Sequence, residues 1–342
     1  MSTLGLAPTP PSASAIARAP RERTSSWPLV DRIAYGLCWA VGIGLCLIAL
    51  AIVLFMFVKG ISYLRLSMLV EHPAPSVQQS ESGGFLDPIV GSLILAVLGT
   101  AIAAPMGVAT AVWLSEYRRP AWLARTVESA IEMIAGVPSV VLAIFGVLIF
   151  ARPLLGFLSE TDAGGAVSGK SFLAAGAMMS LLALPLVVGA TREGLALLSD
   201  RLREASYALG RTRATTIRRV LLPAVRPEIA SGTALGMGRI IGDTAIVNIV
   251  LGLTLTNEGI GHIPLFSTLR GTGSTLTSYI YTNSPAGEGS APQKAYAAAF
   301  VLLLIVLALN GIVTLLTSQG SATGERSRAD RLLRFEWVRW TR

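Results

Sequence analysis

Arg201-Leu202-Arg203-Glu204-Ala205-Ser206-Tyr207-Ala208-Leu209-Gly210 leads into a basic run, Arg211 to Arg219, and then into Val220-Leu221-Leu222-Pro223. These residues predict a short helix that stops at Gly210, where the chain can turn with positive φ. A second short, basic, amphipathic helix follows, and Pro223 restarts the chain toward the next apolar stretch. Ala205 and Ala208 put small side chains on the first helix, so a partner could pack closely there. Glu204 adds a charged handle. By composition alone the segment reads equally well as a solvated basic loop on anionic lipid headgroups.

On both sides of this segment the chain is apolar. Uncharged runs cover Ile33 to Val58, Pro88 to Ser115, Met133 to Ala151, Ser171 to Thr191 and Ala295 to about Leu316. A further apolar run, Ile229 to about Leu253, contains Arg239 and Asp243. A membrane-crossing helix needs about 20 apolar residues, so six crossings are expected. With the N-terminus placed in the cytoplasm, 21 Lys and Arg residues fall on the cytoplasmic side and 6 on the other. That bias predicts both termini inside. Residues 1–31 read as a disordered basic tail, 32–318 as the six-helix membrane domain and 319–342 as a second basic tail. The opening segment occupies a cytoplasmic loop of about 192–226. No secretory signal peptide is visible.

Only 14% of the 342 residues are charged and 52% are hydrophobic, with a mean hydropathy of +0.62. A soluble domain carries nearer a quarter charged residues. The net charge of +8 comes mostly from Arg in blocks between apolar runs, which is a membrane-orientation pattern and argues against a nucleic-acid partner. Cys38 and Cys46 lie too far apart on one helix for a disulfide. His72 and His262 are isolated, so no metal site is expected. Paired catalytic carboxylates, Ser–His arrangements and G-x-x-x-x-G-K-[ST] phosphate loops are also missing, so no catalytic residue is assigned.

Two spans repeat small residues every four positions: Gly99, Ala103 and Gly107, then Gly232 with Gly236 and Gly238 with Gly242. Close bundle packing accounts for both, and a moving interface is the alternative. Pro138 inside the third run predicts a kink, either structural or a gate hinge, with Ser139 re-satisfying a freed carbonyl. The outside run Arg270-Gly271-Thr272-Gly273-Ser274-Thr275 has the composition of an anion nest and reads as a flexible loop. Arg239 and Asp243 stand at i, i+4, so on one helix their side chains can meet. Charges at membrane depth are either a structural ion pair or functional. Arg offers a planar fork suited to a tetrahedral oxyanion. Asp243 would repel a fully deprotonated anion, yet accept a hydrogen bond from one that keeps a proton, as phosphate does and sulfate does not.

The opening segment resembles the E-A-A-x-x-x-G-x(9)-I-x-L-P loop of ABC importer permeases. Glu204, Ala205, Gly210, Leu222 and Pro223 match, Ser206 stands for the second Ala and Val220 for Ile. Gly238-Arg239-Ile240-Ile241-Gly242-Asp243-Thr244 is similar to the A-R-A-x-G-E-T stretch of phosphate-specific (Pst) permeases, with Asp243 for the usual Glu. Ile134-Ala135-Gly136-Val137-Pro138-Ser139-Val140-Val141 is similar to their A-G-I-P-S-V-V-Y, and the A-type permease is the better match. The resemblance runs from about Gly91 to Leu316 and implies an all-α, MetI-like (type I) permease fold in the inner membrane. It implies that Glu204 to Gly210 is a coupling helix docking on an ATP-binding subunit dimer, which would hold the ATP and Mg2+. It also implies a second permease subunit and an extracytoplasmic phosphate-binding protein. Import of another oxyanion (phosphonate, sulfate or molybdate) and a non-transporting phosphate-signalling scaffold are the alternatives.

Overall fold

The computed structural model describes residues 28–73, 83–158, 169–252, 269–285 and 291–315. Among the described residues the chain is helical, with no strand. It divides into two units, 1–55 and 56–342. Most of both expected tails, 1–27 and 319–342, lies outside the described residues.

The first unit holds most of α1 (Leu29–Tyr63), which starts inside the stretch expected to be tail. Its aliphatic side chains, Leu37, Leu45 and Leu50 among them, are exposed along its length. Such a surface suits hydrocarbon, where the helix satisfies its own backbone. Cys38 and Cys46 are free and exposed.

The second unit is built on three helices. α2 (Leu86–Val112) ends in a π-helical turn, Trp113–Tyr117. α5 (Phe172–Leu197) packs on α2 and on α9 (Arg226–Gly242), and α2 also touches α9. Small residues permit this approach. Gly99 of α2 faces Ile240, and a Cβ on Gly107 would lie 2.7 Å from Val187 of α5. Leu95, Phe172, Met179, Ile240, Ile246 and Leu251 form the fully buried centre. Residues of the first small-residue face thus serve packing.

Between these helices lie α3 (Ala121–Gly136), α4 (Ser139–Phe150), α6 (Asp200–Ala208), α7 (Arg213–Thr216) and the single turn α8 (Leu222–Ala224). After α9 come α10 (Leu276–Asn283) and α11 (Pro292–Leu315). Among the described residues four helices are long and apolar enough to cross a membrane, α1, α2 with its π turn, α5 and α11, and the α3–α4 pair makes a fifth if it counts as one bent span.

Three expectations change. The run Met133 to Ala151 is not one kinked helix, because α3 and α4 meet at 110°. Pro138 sits between them, its ring forcing Val137 into an extended conformation (φ −74°, ψ 129°). Ser139 opens α4 and makes no side-chain hydrogen bond among the described residues, so it repairs no freed carbonyl. α9, the expected fifth crossing, stops at Gly242 instead of running to Leu253. The run Arg270 to Thr275 is not a loose loop: Gly271, Gly273, Ser274 and Thr275 are buried. The Gly271 carbonyl accepts from Phe172 N–H at 3.2 Å, and Thr275 and Ser278 form a capping box on α10. The Leu276 N–H donates to Ser92 Oγ of α2 at 2.8 Å.

Candidate functional site

The loop between α5 and α9 folds as the spacing predicts, with more internal bonding. The Ser199 hydroxyl accepts from Arg201 N–H at 3.3 Å and caps α6. Gly210 takes φ +72°, and its N–H donates to the Tyr207 carbonyl at 2.9 Å. A Cβ at Gly210 would meet nothing within 4 Å, so conformation, not crowding, calls for glycine. Thr212 then caps α7.

Ser206 is buried, and its hydroxyl lies 2.8 Å from that of Thr216. The Thr216 hydroxyl donates to the Thr212 carbonyl at 3.1 Å, which leaves it to accept from Ser206. The departure from alanine at this position therefore has a local partner: the hydroxyl joins α6 to α7. Ile217, Leu221 and Val225 bury themselves against Leu195 of α5, with Leu222 partly buried beside them. Pro223 is exposed inside α8, and the restart predicted there falls at Arg226 instead. Glu204, Ala205, Tyr207, Ala208 and Leu209 are exposed, Leu209 by 78%. An exposed tyrosine and two alanines on the nine-residue α6, with the exposed Leu209 just past its end, make a small apolar surface with one carboxylate at its edge.

Two residues that the sequence reading passed over sit under this surface. Glu116, in the π turn that ends α2, is only 5% exposed. It accepts from Nε and Nη2 of Arg203 at 3.1 and 2.9 Å. A carboxylate directly after a long uncharged run was the available signal.

The second region is the end of α9, where Arg239, Asp243 and Thr244 stand. The predicted Arg239–Asp243 pair does not form. Asp243 leaves the helix, with φ −82° and ψ 123°, so helical i, i+4 geometry no longer holds. Its Oδ1 accepts from Ile246 N–H at 2.9 Å and caps the next helical segment, which continues as a π turn, Val247–Leu251. The Thr244 carbonyl accepts from Asn248 N–H at 3.0 Å in that segment. Asp243 and Thr244 are half-buried.

Arg239 is exposed and makes no ion pair among the described residues. α9 has two unlike faces. Gly232, Gly236 and Ile240 pack on α5 and α2, whereas a Cβ on Gly238 or Gly242 would meet nothing within 4 Å. Among the described residues the second pair of small residues therefore serves no packing. It leaves bare backbone on either side of the Arg239 side chain. An accessible guanidinium with its fork of donors uncommitted can take a planar or tetrahedral oxyanion. Arg226 and Arg239 bound 14 residues of one helix, placing the two regions on the order of 20 Å apart at 1.5 Å per residue.

Residues 103–319 match the family described as binding-protein-dependent transport system inner membrane component. The chain is 34% identical over 216 residues to the probable ABC transporter permease protein YqgH of Bacillus subtilis, covering 60% of this chain and 66% of that protein. It is 34% identical over 229 residues to the phosphate transport system permease protein PstA of Mycobacterium leprae, covering 67% and 69%. Against the phosphate transport system permease protein PstC of Pasteurella multocida it is 28% identical over 253 residues, covering 68% and 75%. The chain thus spans about two thirds to three quarters of these relatives. In fold it is similar to a subunit of a bacterial alginate ABC transporter, with a TM-score of 0.57 at 16% identity, covering 83% of this chain and 93% of that one. A MetNI methionine ABC transporter chain gives 0.52 at 17% identity, covering 69% and 95%.

Proposed function

The chain belongs to the family of binding-protein-dependent transport inner membrane components, and from that premise we propose that it is the permease subunit of an ATP-driven importer of inorganic phosphate. The accessible, uncommitted Arg239 between two bare glycines carries this reading. Gly238, Arg239 and Gly242 line one half of the pathway, and a second permease subunit supplies the other half. ATP and Mg2+ are held by a dimer of ATP-binding subunits, and an extracytoplasmic protein delivers phosphate. Both termini and the α5–α9 loop lie on the cytoplasmic side. The two permease types named among the relatives support the substrate class, and the A-type assignment rests on residue similarity.

Glu204, Ala205, Ser206, Gly210, Leu222 and Pro223 form the coupling element. Glu204 and Ala205 present its outer surface, Ser206 ties α6 to α7, and Gly210 makes the turn between them. Glu204→Lys reverses the charge on an exposed helix without touching the fold. In the complex reconstituted with its partners, ATP-driven phosphate uptake falls at least about tenfold, since like-charge placement at an interface costs several kcal/mol. Uptake at the unmutated level in that variant would remove the coupling role.

Pro138 and Ser139 mark the α3–α4 corner as a gate candidate, because a proline-set turn offers a hinge between two rigid helices.

Asp243 still selects for a protonated anion in this scheme, but from the helix break and not from a pair with Arg239. Asn caps helices as well as Asp. Asp243→Asn therefore keeps the bond to Ile246 and removes only the charge. The expected result is normal phosphate uptake with new inhibition by sulfate. Continued indifference to sulfate would assign Asp243 to capping alone.

A further inference from the structure

α2 does not end as a plain α-helix. Its last turn widens into the π turn Trp113–Tyr117, and Arg118 follows with φ 49°. π turns put a side chain out of the register of the helix and concentrate at functional places. Here the widened turn carries Glu116, which is buried under α6.

Arg203 meets it there. Besides its two bonds to Glu116, the Nη2 of Arg203 donates to the Leu195 carbonyl at 3.1 Å. Its Nη1 donates to the Leu198 carbonyl at 3.3 Å and to Asp200 Oδ1 at 3.1 Å. Leu195 and Leu198 are at the end of α5, where carbonyls lack helical partners. One guanidinium carried on α6 is therefore bonded to the ends of both α2 and α5. The same π turn is also held by α7, where the Arg213 guanidinium lies 5.0 Å from the Tyr117 ring centroid.

We propose that the Glu116–Arg203 pair is the transmission link of this permease, passing displacement of α6 to α2 and α5. The proposal rests on the permease reading above and adds to it a pair of positioning residues beneath the docking surface. Among the described residues α6 touches the rest of the chain through few side chains, and its outer face is exposed. A push on that face reaches the membrane helices through its inner contacts and through the short link Leu198–Ser199 to α5. Ser206 leads to α7, which belongs to the same loop. Arg203 leads directly to both central helices. Its planar fork makes five hydrogen bonds, two to Glu116, two to carbonyls and one to Asp200, whereas the ammonium of lysine has three donors and no fixed fork.

The test uses the complete complex in proteoliposomes and reads anion moved per ATP hydrolysed. Arg203→Lys, Glu116→Gln and the double variant are compared with the unmutated protein. In Arg203→Lys the complex assembles and ATP hydrolysis continues, while anion moved per ATP falls roughly tenfold. Glu116→Gln shifts the ratio the same way by less. The double variant is no worse than Arg203→Lys, because both changes break one link. A structural staple would lower assembly or thermal stability and leave the ratio alone. A ratio within about twofold of the unmutated value in both single variants, or failure of both to assemble, overturns the proposal. The unmutated complex is run with phosphate, sulfate and molybdate. If it moves one of the others in place of phosphate, the cargo assignment falls, and the ratio is read with the anion that moves.

Discussion

Arg239→Ala lowers phosphate uptake by the assembled complex by a factor on the order of one hundred, with no loss of the folded chain. The size follows from the fork. A hydrogen bond to a charged group contributes about 1.5–3 kcal/mol, and about 1.4 kcal/mol corresponds to tenfold. Two such bonds from one guanidinium to an oxyanion therefore account for a hundredfold or more. The folded chain is spared because Arg239 is exposed and makes no ion pair among the described residues. Surface substitutions of that kind fall within about 0.5 kcal/mol. Arg239→Lys keeps the charge and loses the planar fork, so its uptake lies between the two. Uptake into proteoliposomes gives the transport effect, and the thermal unfolding midpoint of the purified complex gives the control. An Arg239→Ala complex that imports phosphate at nearly the unmutated rate would end the role of Arg239 and, with it, the strongest support for an oxyanion cargo.

The sequence was most legible where chemistry and spacing agree. Apolar runs locate the long helices because lipid demands both length and apolarity. Gly210 marks a turn because only its conformation, and no neighbour, calls for glycine. The α5–α9 loop reads correctly for the same reason through the Gly210 turn and the short helix after it, whereas the restart expected at Pro223 falls at Arg226. Legibility failed where a short-range pattern was decided at longer range. Arg239 and Asp243 are spaced as helical neighbours, but Asp243 also has the side chain of a good N-cap, and the cap won. Pro138 could kink a helix or end one, and the 110° corner shows the second. The Gly/Ser/Thr run at 270–275 has loop composition yet packs tightly on α2 and α5: a Cβ on Gly91 of α2 would strike the Ser274 carbonyl, and Phe172 N–H of α5 donates to the Gly271 carbonyl. Glu116 escaped notice because its partner, Arg203, is 87 residues away. Similar solved folds account for the helical framework and say nothing of these residues.

Gly232→Leu and Gly238→Leu place the same side chain on one helix, six residues apart, and should have opposite consequences. Leucine favours helix over glycine by somewhat under 1 kcal/mol, so both variants gain equally from propensity. Their surroundings differ. At Gly232 a Cβ would stand 2.7 Å from the Ala190 Cβ, 3.1 Å from the Leu186 carbonyl oxygen and 3.2 Å from the Val187 Cα. Two of these are backbone atoms of α5 and the third is a stub that cannot rotate away. The isobutyl group must then force α9 off α5, and overpacking of a tight core costs about 3 kcal/mol at the upper end of its usual range. That exceeds the propensity gain severalfold and is comparable with much of a typical folding stability. The chain should accumulate poorly in membranes, and what is purified should unfold at clearly lower temperature. At Gly238 none of the described residues lies within 4 Å of a Cβ, so the leucine variant should fold as well as the unmutated chain or slightly better. Its penalty appears in transport, because the new side chain fills the space beside Arg239 that an anion would occupy. Equal loss of stability at both positions would mean that the second glycine pair is buried against this chain after all, and would remove the open face from the pathway. Normal uptake by Gly238→Leu would place the anion's route elsewhere while leaving the packing role of Gly232 intact.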